Sequence, residues 1–204
     1  WANKISQRFS KKNSTSFEET KKFFPEHKTT VIGSPIRKEI VNGSAKKGRE
    51  FLGFDEYTPI LTIMGGSLGA KKINEVVRES LKQLTSNYQV VHLCGKNNID
   101  INLSDFPKYK QFEYVNDELK DILAATDIVI TRGGSNAIFE FLALKKPMIL
   151  IPLPKNASRG DQLENAEYFK QKGFAKIILQ ENLTKQTLLN EIKVSLNIHE
   201  VEAL

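Results

Sequence analysis

The sequence predicts an α/β fold in which a parallel sheet is covered by helices on both faces. Short apolar runs of strand length alternate with segments of helical periodicity from Pro59 to the end of the chain. The runs have no polar face, which is typical of strands that are buried on both sides. Glycine-rich turns end two of these strands, and ligands of such sheets bind beyond the carboxyl ends of the strands. We therefore expect a ligand site at these turns.

The predicted elements follow one another in a regular order. Residues 29–32 are β-branched and strand-like, and residues 42–58 are expected to form an irregular or short helical connector. Strands are then expected at 60–64, 90–93, 127–131, 148–151 and 175–179. Helices are expected from 73 to 84, 119–125, 136–144, 162–172 and from about residue 184. Residues 1–30, rich in lysine and serine, are assigned to a linker or the end of a preceding domain, and residues 31–204 to the ligand-binding domain.

Composition excludes several classes of protein. Of the 204 residues, 40% are hydrophobic and 26% are charged, so the chain can build a core and is not disordered. Its apolar runs are far shorter than the ~20 residues of a membrane-spanning helix. One cysteine excludes an internal disulfide, and the three histidines form no metal-ligand pattern with it. We expect a cytosolic protein with no metal or other cofactor.

The net charge of +6 allows nucleic acid, anionic lipid or a small anion as the partner. The lysines are scattered, as at Lys46-Lys47 and Lys71-Lys72, and indicate a solvated surface. The alternation of aromatic and basic residues that single-strand binders use is missing, so no nucleic-acid partner is expected. Because the chain begins at Trp1 without an initiator methionine, we expect it to be a piece of a larger protein.

The first glycine turn is Gly65-Gly66-Ser67-Leu68-Gly69-Ala70. Small residues there allow the backbone to approach an anion closely, beside the N-terminus of the following helix. The turn has neither the Walker A pattern nor the dinucleotide pattern G-x-G-x-x-G. A phosphate site is the functional interpretation, and a tight turn in which Ser67 caps the helix is the structural alternative.

The second turn, Arg132-Gly133-Gly134-Ser135-Asn136-Ala137, leads into a helix that is apolar on nearly every side. Glu140 in this helix therefore needs a partner, because an unpaired buried carboxylate is costly. It lies roughly 7.5 Å along the helix axis from Ser135, so a diphosphate at the helix end would bring a ribose near it. The alternative is a structural glutamate satisfied by a lysine or by backbone amides.

A third group of residues, Arg159-Gly160-Asp161-Gln162, stands at a helix start after a strand and a loop. A carboxylate beside a carboxamide offers acceptors and donors that suit the vicinal hydroxyls of a hexose. Asp161 as a simple helix cap is the alternative. Three motifs of this kind, each between a strand and the start of a helix, would meet at one crevice. Together they favour a nucleotide-sugar as the ligand.

Taken in order, the motifs resemble those of the MurG family. They are Gly33-Ser34-Pro35-Ile36-Arg37, the two glycine turns with Glu140, and Ser158-Arg159-Gly160-Asp161-Gln162 with Asn165-Ala166. The family transfers N-acetylglucosamine from UDP-GlcNAc to the lipid-linked muramyl-pentapeptide precursor of peptidoglycan. The resemblance implies a GT-B fold of two Rossmann-like domains, of which this chain is the C-terminal, donor-binding half. Ser34, where the family usually has asparagine, and the pair Gly133-Gly134, where it often has one glycine, are departures.

The resemblance also implies a role for each motif. Arg37 would contact the diphosphate, Gly66 and Ser67 a phosphate oxygen, and the amides of Gly134, Ser135 and Asn136 the diphosphate at the helix end. Glu140 would hold the ribose hydroxyls, the backbone of Val115 the uracil edge, and Asp161 and Gln162 the sugar.

The resemblance assigns the remaining machinery to the family's N-terminal domain. That domain holds the catalytic base, the acceptor pocket and the patch that contacts the anionic inner surface of the membrane, on its cytoplasmic face. We therefore expect this chain to bind UDP-GlcNAc without a metal and to transfer little or nothing alone. Two other classes stay open: half of another GT-B enzyme, such as a glycolipid glucosyltransferase or a sugar-nucleotide epimerase, and a non-catalytic UDP-sugar-binding module.

Overall fold

The computed structural model describes residues 2–66, 70–155 and 160–202. The chain divides between Ile36 and Arg37 into two compact units. The first unit contains α1 (Ala2–Phe9), β1 (Asn13–Thr15), α2 (Glu18–Lys21) and β2 (Thr29–Val31). β2 confirms the predicted strand, and it pairs in parallel with β1, which the polar sequence Asn-Ser-Thr did not predict.

The second unit is a parallel six-stranded sheet with its helices. Its strands are β3 (Ile60–Met64), β4 (Gln89–Leu93), β5 (Tyr109–Phe112), β6 (Ile128–Thr131), β7 (Met148–Leu150) and β8 (Ala175–Ile177). Its helices are α3 (Ala45–Leu52), α4 (Lys71–Asn87), α5 (Leu119–Ala125), α6 (Ser135–Ala143), α7 (Asp161–Gln171) and α8 (Lys185–Glu202). The predicted strands and helices of this region are therefore confirmed, with small shifts at their ends.

The strand order across the sheet is β5-β4-β3-β6-β7-β8. Counted from β3, this is the order 3-2-1-4-5-6 of a Rossmann sheet, which confirms the predicted fold class. Because crossovers between parallel strands are right-handed, α4 lies on one face of the sheet and α5, α6 and α7 lie on the other. α8 packs against α4, and α3 packs against α5.

The chain reverses its direction of travel across the sheet between β3 and β6, which are paired neighbours. Met64 is opposite Thr131 in this pair, and the Thr131 hydroxyl donates a 2.9 Å hydrogen bond to the Met64 carbonyl oxygen. The two glycine turns leave the sheet at these two strand ends. A crevice at such a reversal is where open α/β sheets bind ligands.

Burial explains why the apolar runs form these strands. Every residue of β4, β6 and β7 is buried, as strands covered on both faces require. α4 presents an apolar stripe to the same core, formed by Ile73, Val76, Val77, Leu81 and Leu84. The core thereby fixes the carboxyl edge of the sheet, where the turns lie.

Candidate functional site

The first glycine turn begins at the end of β3. Gly66 has φ of 92°, a left-handed conformation that favours glycine over residues with a side chain. The N-cap residue of α4 is Ala70, which supplies no side-chain hydrogen bond, and the alternative in which Ser67 caps the helix concerns a residue outside the described ranges. Ser67 itself, predicted to contact a phosphate, lies outside the described residues.

The second turn exposes the N-terminus of α6. Gly134 is the N-cap residue and supplies no side-chain hydrogen bond, while Ser135 and Asn136 are the first two residues of the helix. The hydrogen bond from Ile138 N to Gly134 O, 3.1 Å, begins the helical ladder. The amides that precede Ile138 therefore have no partner within the helix, and the helix dipole adds partial positive charge there.

Gly133 brings the second and third motifs together. A Cβ atom at this position would lie 2.3 Å from the backbone oxygen of Gln162, so only glycine allows the start of α7 to pack this closely. Asn165 Nδ2 donates a 2.9 Å hydrogen bond to the Gly133 carbonyl oxygen. This contact is not apparent from the sequence, because it joins residues of two different motifs that are distant along the chain.

Glu140 is held by Arg37. Arg37 Nε donates to Glu140 Oε1 at 2.6 Å, and Arg37 Nη2 donates to Oε2 at 2.9 Å. The residue Glu140 is only 8% exposed, whereas the Arg37 side chain is half exposed. The hydrogen bond to Glu140 is the main cause that raises the pKa of the Arg37 guanidinium above its ordinary value. The expectation that Glu140 needs a partner is confirmed, but the partner is neither a lysine nor a backbone amide.

The third motif opens α7. Gly160, with φ of 87°, is the N-cap residue, so the alternative in which Asp161 is the cap is wrong, and Asp161 is the exposed first residue of the helix. Gln162 Oε1 accepts a 3.1 Å hydrogen bond from the Leu153 N–H. This bond fixes the orientation of the carboxamide, since only its oxygen can accept. The Nε2 group of Gln162 can therefore donate to a ligand.

Val115 lies three residues beyond the end of β5, at the same edge of the sheet. Within the described part of the chain, the backbone hydrogen bonds of turns and loops involve neither its N–H nor its C=O. The preceding Tyr114 is 66% exposed. Both backbone groups of Val115 can therefore serve as a donor and an acceptor for a ligand with a complementary edge.

Arg132, between β6 and Gly133, connects neighbouring segments at the carboxyl edge of the sheet. Its Nη1 donates to the Ile151 carbonyl oxygen at 3.0 Å and to Gln180 Oε1 at 2.7 Å, and burial lowers the pKa of its guanidinium. These bonds join the segments that follow β6, β7 and β8. A cavity of about 870 Å³ opens beside them, and it is lined by Lys72, the loop 152–155, Leu163 and residues 179–181.

A polar network lies buried behind the first turn. His92 on β4 is fully buried, with Nδ1 2.8 Å from the Tyr109 hydroxyl and Nε2 2.9 Å from Asn74 Oδ1. Asn74 Nδ2 donates to the Cys94 carbonyl oxygen at 2.9 Å, so its oxygen must accept from Nε2–H, and Nδ1 accepts from tyrosine. Burial lowers the pKa of His92 to about 3. His92 is therefore a neutral structural histidine, outside the site.

In the described ranges 2–66, 70–155 and 160–202, no group of three or more His, Cys, Asp or Glu residues could hold a metal ion. None of the helices in those ranges combines the length and the apolar character needed to cross a membrane.

Comparisons with known proteins point to one family. Residues 60–202 match the family described as Glycosyltransferase family 28 C-terminal domain. A relative from Bacillus cereus (strain ATCC 10987 / NRS 248) is 55% identical over 192 residues, which are 94% of this chain and 54% of the relative. It is named UDP-N-acetylglucosamine--N-acetylmuramyl-(pentapeptide) pyrophosphoryl-undecaprenol N-acetylglucosamine transferase 2. A relative from Geobacillus thermodenitrificans (strain NG80-2), named as the same transferase without a number, is 50% identical over 187 residues, 92% of this chain and 52% of its own.

Solved structures agree with the sequence match. The crystal structure of Acinetobacter baumannii MurG gives a TM-score of 0.69 at 26% identity, over 96% of this chain and 54% of that one. The calicheamicin glycosyltransferase CalG4 gives a TM-score of 0.63 at 14% identity, over 91% of this chain and 44% of that one, which shows the fold alone. The chain spans about half the length of the curated relatives it matches. The resemblance to MurG is thus confirmed, and the chain belongs to glycosyltransferase family 28, of which it carries the C-terminal domain.

Proposed function

We propose that this chain is the donor-binding half of an inverting glycosyltransferase that moves GlcNAc from UDP-GlcNAc to the lipid-linked muramyl-pentapeptide precursor of peptidoglycan. The names of its relatives support this activity. One observation carries the proposal: the N-terminus of α6 and the start of α7 are joined through Gly133 at the carboxyl edge of the sheet. In this proposal residues 31–204 form the UDP-sugar-binding domain, and residues 1–30 belong to a linker or the end of the other half.

The donor would lie along this edge. The uracil edge would pair with the backbone of Val115, the ribose diol with the Glu140 carboxylate, and the diphosphate with the amides at Ser135 and Asn136. Gln162 would donate through Nε2 to a sugar hydroxyl, and the exposed Asp161 carboxylate would accept from another. Gly66 and Ser67 would border the diphosphate from the first turn.

Cleavage of the bond between sugar and phosphate places negative charge on the leaving UDP. The α6 N-terminus offers fixed amide donors and a dipole of the correct sign, so it would stabilise that charge without reorganisation. A metal ion is not required for this role, and we propose a metal-independent reaction.

The acceptor hydroxyl needs a general base. His92 cannot serve, because it is fully buried and both of its ring nitrogens are hydrogen-bonded. As the resemblance to MurG implies, we assign the base, the acceptor pocket and the surface that meets the anionic cytoplasmic face of the membrane to the other half of the full-length enzyme. Binding of the donor without transfer is expected for the present chain.

Isothermal calorimetry with UDP-GlcNAc, UDP-glucose, NAD and ATP, all in EDTA, tests the proposal. We expect binding of UDP-GlcNAc in preference to UDP-glucose, and no binding of NAD or ATP. A preference for UDP-glucose would favour another enzyme of the same fold. Failure to bind any uridine nucleotide, or transfer of GlcNAc to the lipid acceptor by this chain alone, would contradict the proposal.

A matched pair of variants tests the sugar contact. Q162A is expected to weaken UDP-GlcNAc binding by about two- to tenfold, because hydrogen bonds in a built site are worth about 0.5–1.5 kcal/mol. UDP binding should be unchanged, since UDP lacks the sugar. Q171A, at the exposed far end of α7, is the control and should affect neither ligand.

A further inference from the structure

The ion pair of Arg37 and Glu140 joins two residues that the motifs assign to different parts of the ligand. The resemblance to MurG implies that Arg37 contacts the diphosphate and that Glu140 holds the ribose. In the structure the guanidinium uses Nε and Nη2 on the two carboxylate oxygens, at 2.6 and 2.9 Å. This two-point contact is the geometry in which arginine recognises a planar carboxylate.

The contact leaves the carboxylate able to bind a ligand. A carboxylate has about four lone-pair sites, and Arg37 occupies one on each oxygen. In the proposed function, the remaining sites would accept from the two vicinal hydroxyls of a ribose. The two-point contact with the planar guanidinium, the arginine fork, also fixes the rotation of the carboxylate plane. A lysine ammonium, which acts as a point charge, would leave that rotation variable.

The contact also balances charge. Glu140 is 8% exposed on an apolar helix, so without Arg37 it would be a buried anion close to the place of a diphosphate. Repulsion between the Glu140 carboxylate and the diphosphate would then oppose nucleotide binding. Arg37, being half exposed, meets the carboxylate from the solvent side.

Resting on the proposed function, we propose that Arg37 is a positioning residue of the ribose site: it orients and neutralises Glu140 for the ribose diol, a role distinct from that of a diphosphate ligand. The two roles differ in what a conservative change does. Lysine is a good phosphate ligand because it keeps the point charge, but it lacks the fork that orients a carboxylate.

The test compares UDP with 2′-deoxy-UDP in calorimetry of the wild-type chain, R37K and E140Q. In the wild type, we expect UDP to bind about tenfold more tightly than 2′-deoxy-UDP, as a lost hydrogen bond to a charged group implies. R37K should bring this ratio to about twofold or less by weakening UDP binding while 2′-deoxy-UDP binding stays near the wild-type value. E140Q should give the same low ratio, and adding R37K to E140Q should change it no further.

K38A is the control for a charge change next to Arg37, and it should leave the ratio at the wild-type value because Lys38 is exposed. Thermal unfolding of each variant checks that it is folded, and R37K keeps the total charge. An R37K variant that keeps the tenfold ratio, or that weakens both ligands by one factor, would overturn the inference. A wild-type ratio near one would also overturn it while leaving donor binding intact, whereas no UDP binding at all would refute the proposed function itself.

Discussion

Gly133 and Gly134 are neighbours in one turn, yet the structure requires glycine only at the first. A Cβ at Gly133 would lie 2.3 Å from the Gln162 backbone oxygen, whereas a Cβ at Gly134 would meet nothing within 4 Å. Gly134 also has an ordinary φ of −71°. The single glycine that is common in the MurG family is therefore compatible with this turn, provided that Gly133 is the one retained.

Substitution of the two glycines should give opposite results. G133A is expected to lower the free energy of unfolding by about 1–3 kcal/mol, because the backbone of α7 must move away from the turn. It should also weaken UDP-GlcNAc binding, since Gln162 moves with that backbone. The free energy of unfolding of G134A should lie within about 0.5 kcal/mol of the wild-type value. Urea denaturation and calorimetry measure both effects, and a G133A variant as stable as G134A would contradict the packing described here.

The pairing of Glu140 shows where prediction from sequence ends at the residue scale. That Glu140 needs a partner follows from the apolar helix around it, and this was predictable. The partner is 103 residues away along the chain, and its motif suggested a phosphate ligand. Only the folded backbone brings the two side chains together, because no periodicity or spacing connects them. The contact of Gly133 with α7 was unpredictable for the same reason.

At the scale of elements, α3 and α5 pack through glycine. A Cβ at Gly48, inside α3, would lie 2.2 Å from the backbone oxygen of Asp121 on α5. Alanine in a helix interior usually stabilises by ~1 kcal/mol relative to glycine. Here the steric conflict with the Asp121 backbone outweighs that gain. G48A should therefore lower the free energy of unfolding by about 1–3 kcal/mol. K46A, at an exposed position of α3, should not destabilise, and thermal unfolding of the two variants is the measurement.

A second element-scale prediction concerns pH and the network that joins α4 to β4 and β5. Burial holds the pKa of His92 at about 3 in the folded chain, against 6.5 for an unperturbed histidine. Between these values the unfolded chain binds a proton that the folded chain does not, so stability rises with pH in that window. The contribution of His92 is complete above about pH 6.5 and is lost as the pH falls toward 3, by up to ~1.4 kcal/mol per pH unit.

H92Q isolates this group from the other titrating side chains. The stability difference between the wild type and H92Q should become smaller by about 1.4 kcal/mol for each unit that the pH falls below 6.5. Urea unfolding at pH 7.5, 6.5, 5.5 and 4.5 provides the four values. A difference that stays constant over this range would show that His92 is protonated in the folded chain or that water reaches it.

The elements that were hard to predict share a physical cause. β3, β4, β6 and β7 lie inside the sheet and are apolar runs, so their composition predicts them. β5 is an edge strand in which only Tyr109 is buried, and its polar residues hide it. α3 is short, is charged and contains Gly48, so it was expected only as an irregular or short helical connector. A polar edge strand such as β5 and a helix that packs through glycine such as α3 depend on neighbours that sequence periodicity does not show.

At the scale of the whole molecule, the position of the site follows from the order of the strands. The two glycine turns could be assigned to one crevice only if β3 and β6 were neighbours, and the order β5-β4-β3-β6-β7-β8 makes them so. The alternation of strands and helices predicts a parallel sheet but not this order. The observed order agrees with the Rossmann-like fold that the resemblance to MurG implies.

All the described residues of the proposed site lie in the second unit, which begins at Arg37. A shortened chain that starts at Pro35 should therefore fold and bind UDP with a Kd within about twofold of the full chain. Pro35 is chosen as the start because it keeps the new terminal ammonium group away from Arg37, whose guanidinium must stay paired with Glu140. Circular dichroism checks the fold, and calorimetry with UDP measures the affinity. A shortened chain that is folded but binds UDP tenfold more weakly would contradict this prediction and show that residues 1–34 contribute to UDP affinity.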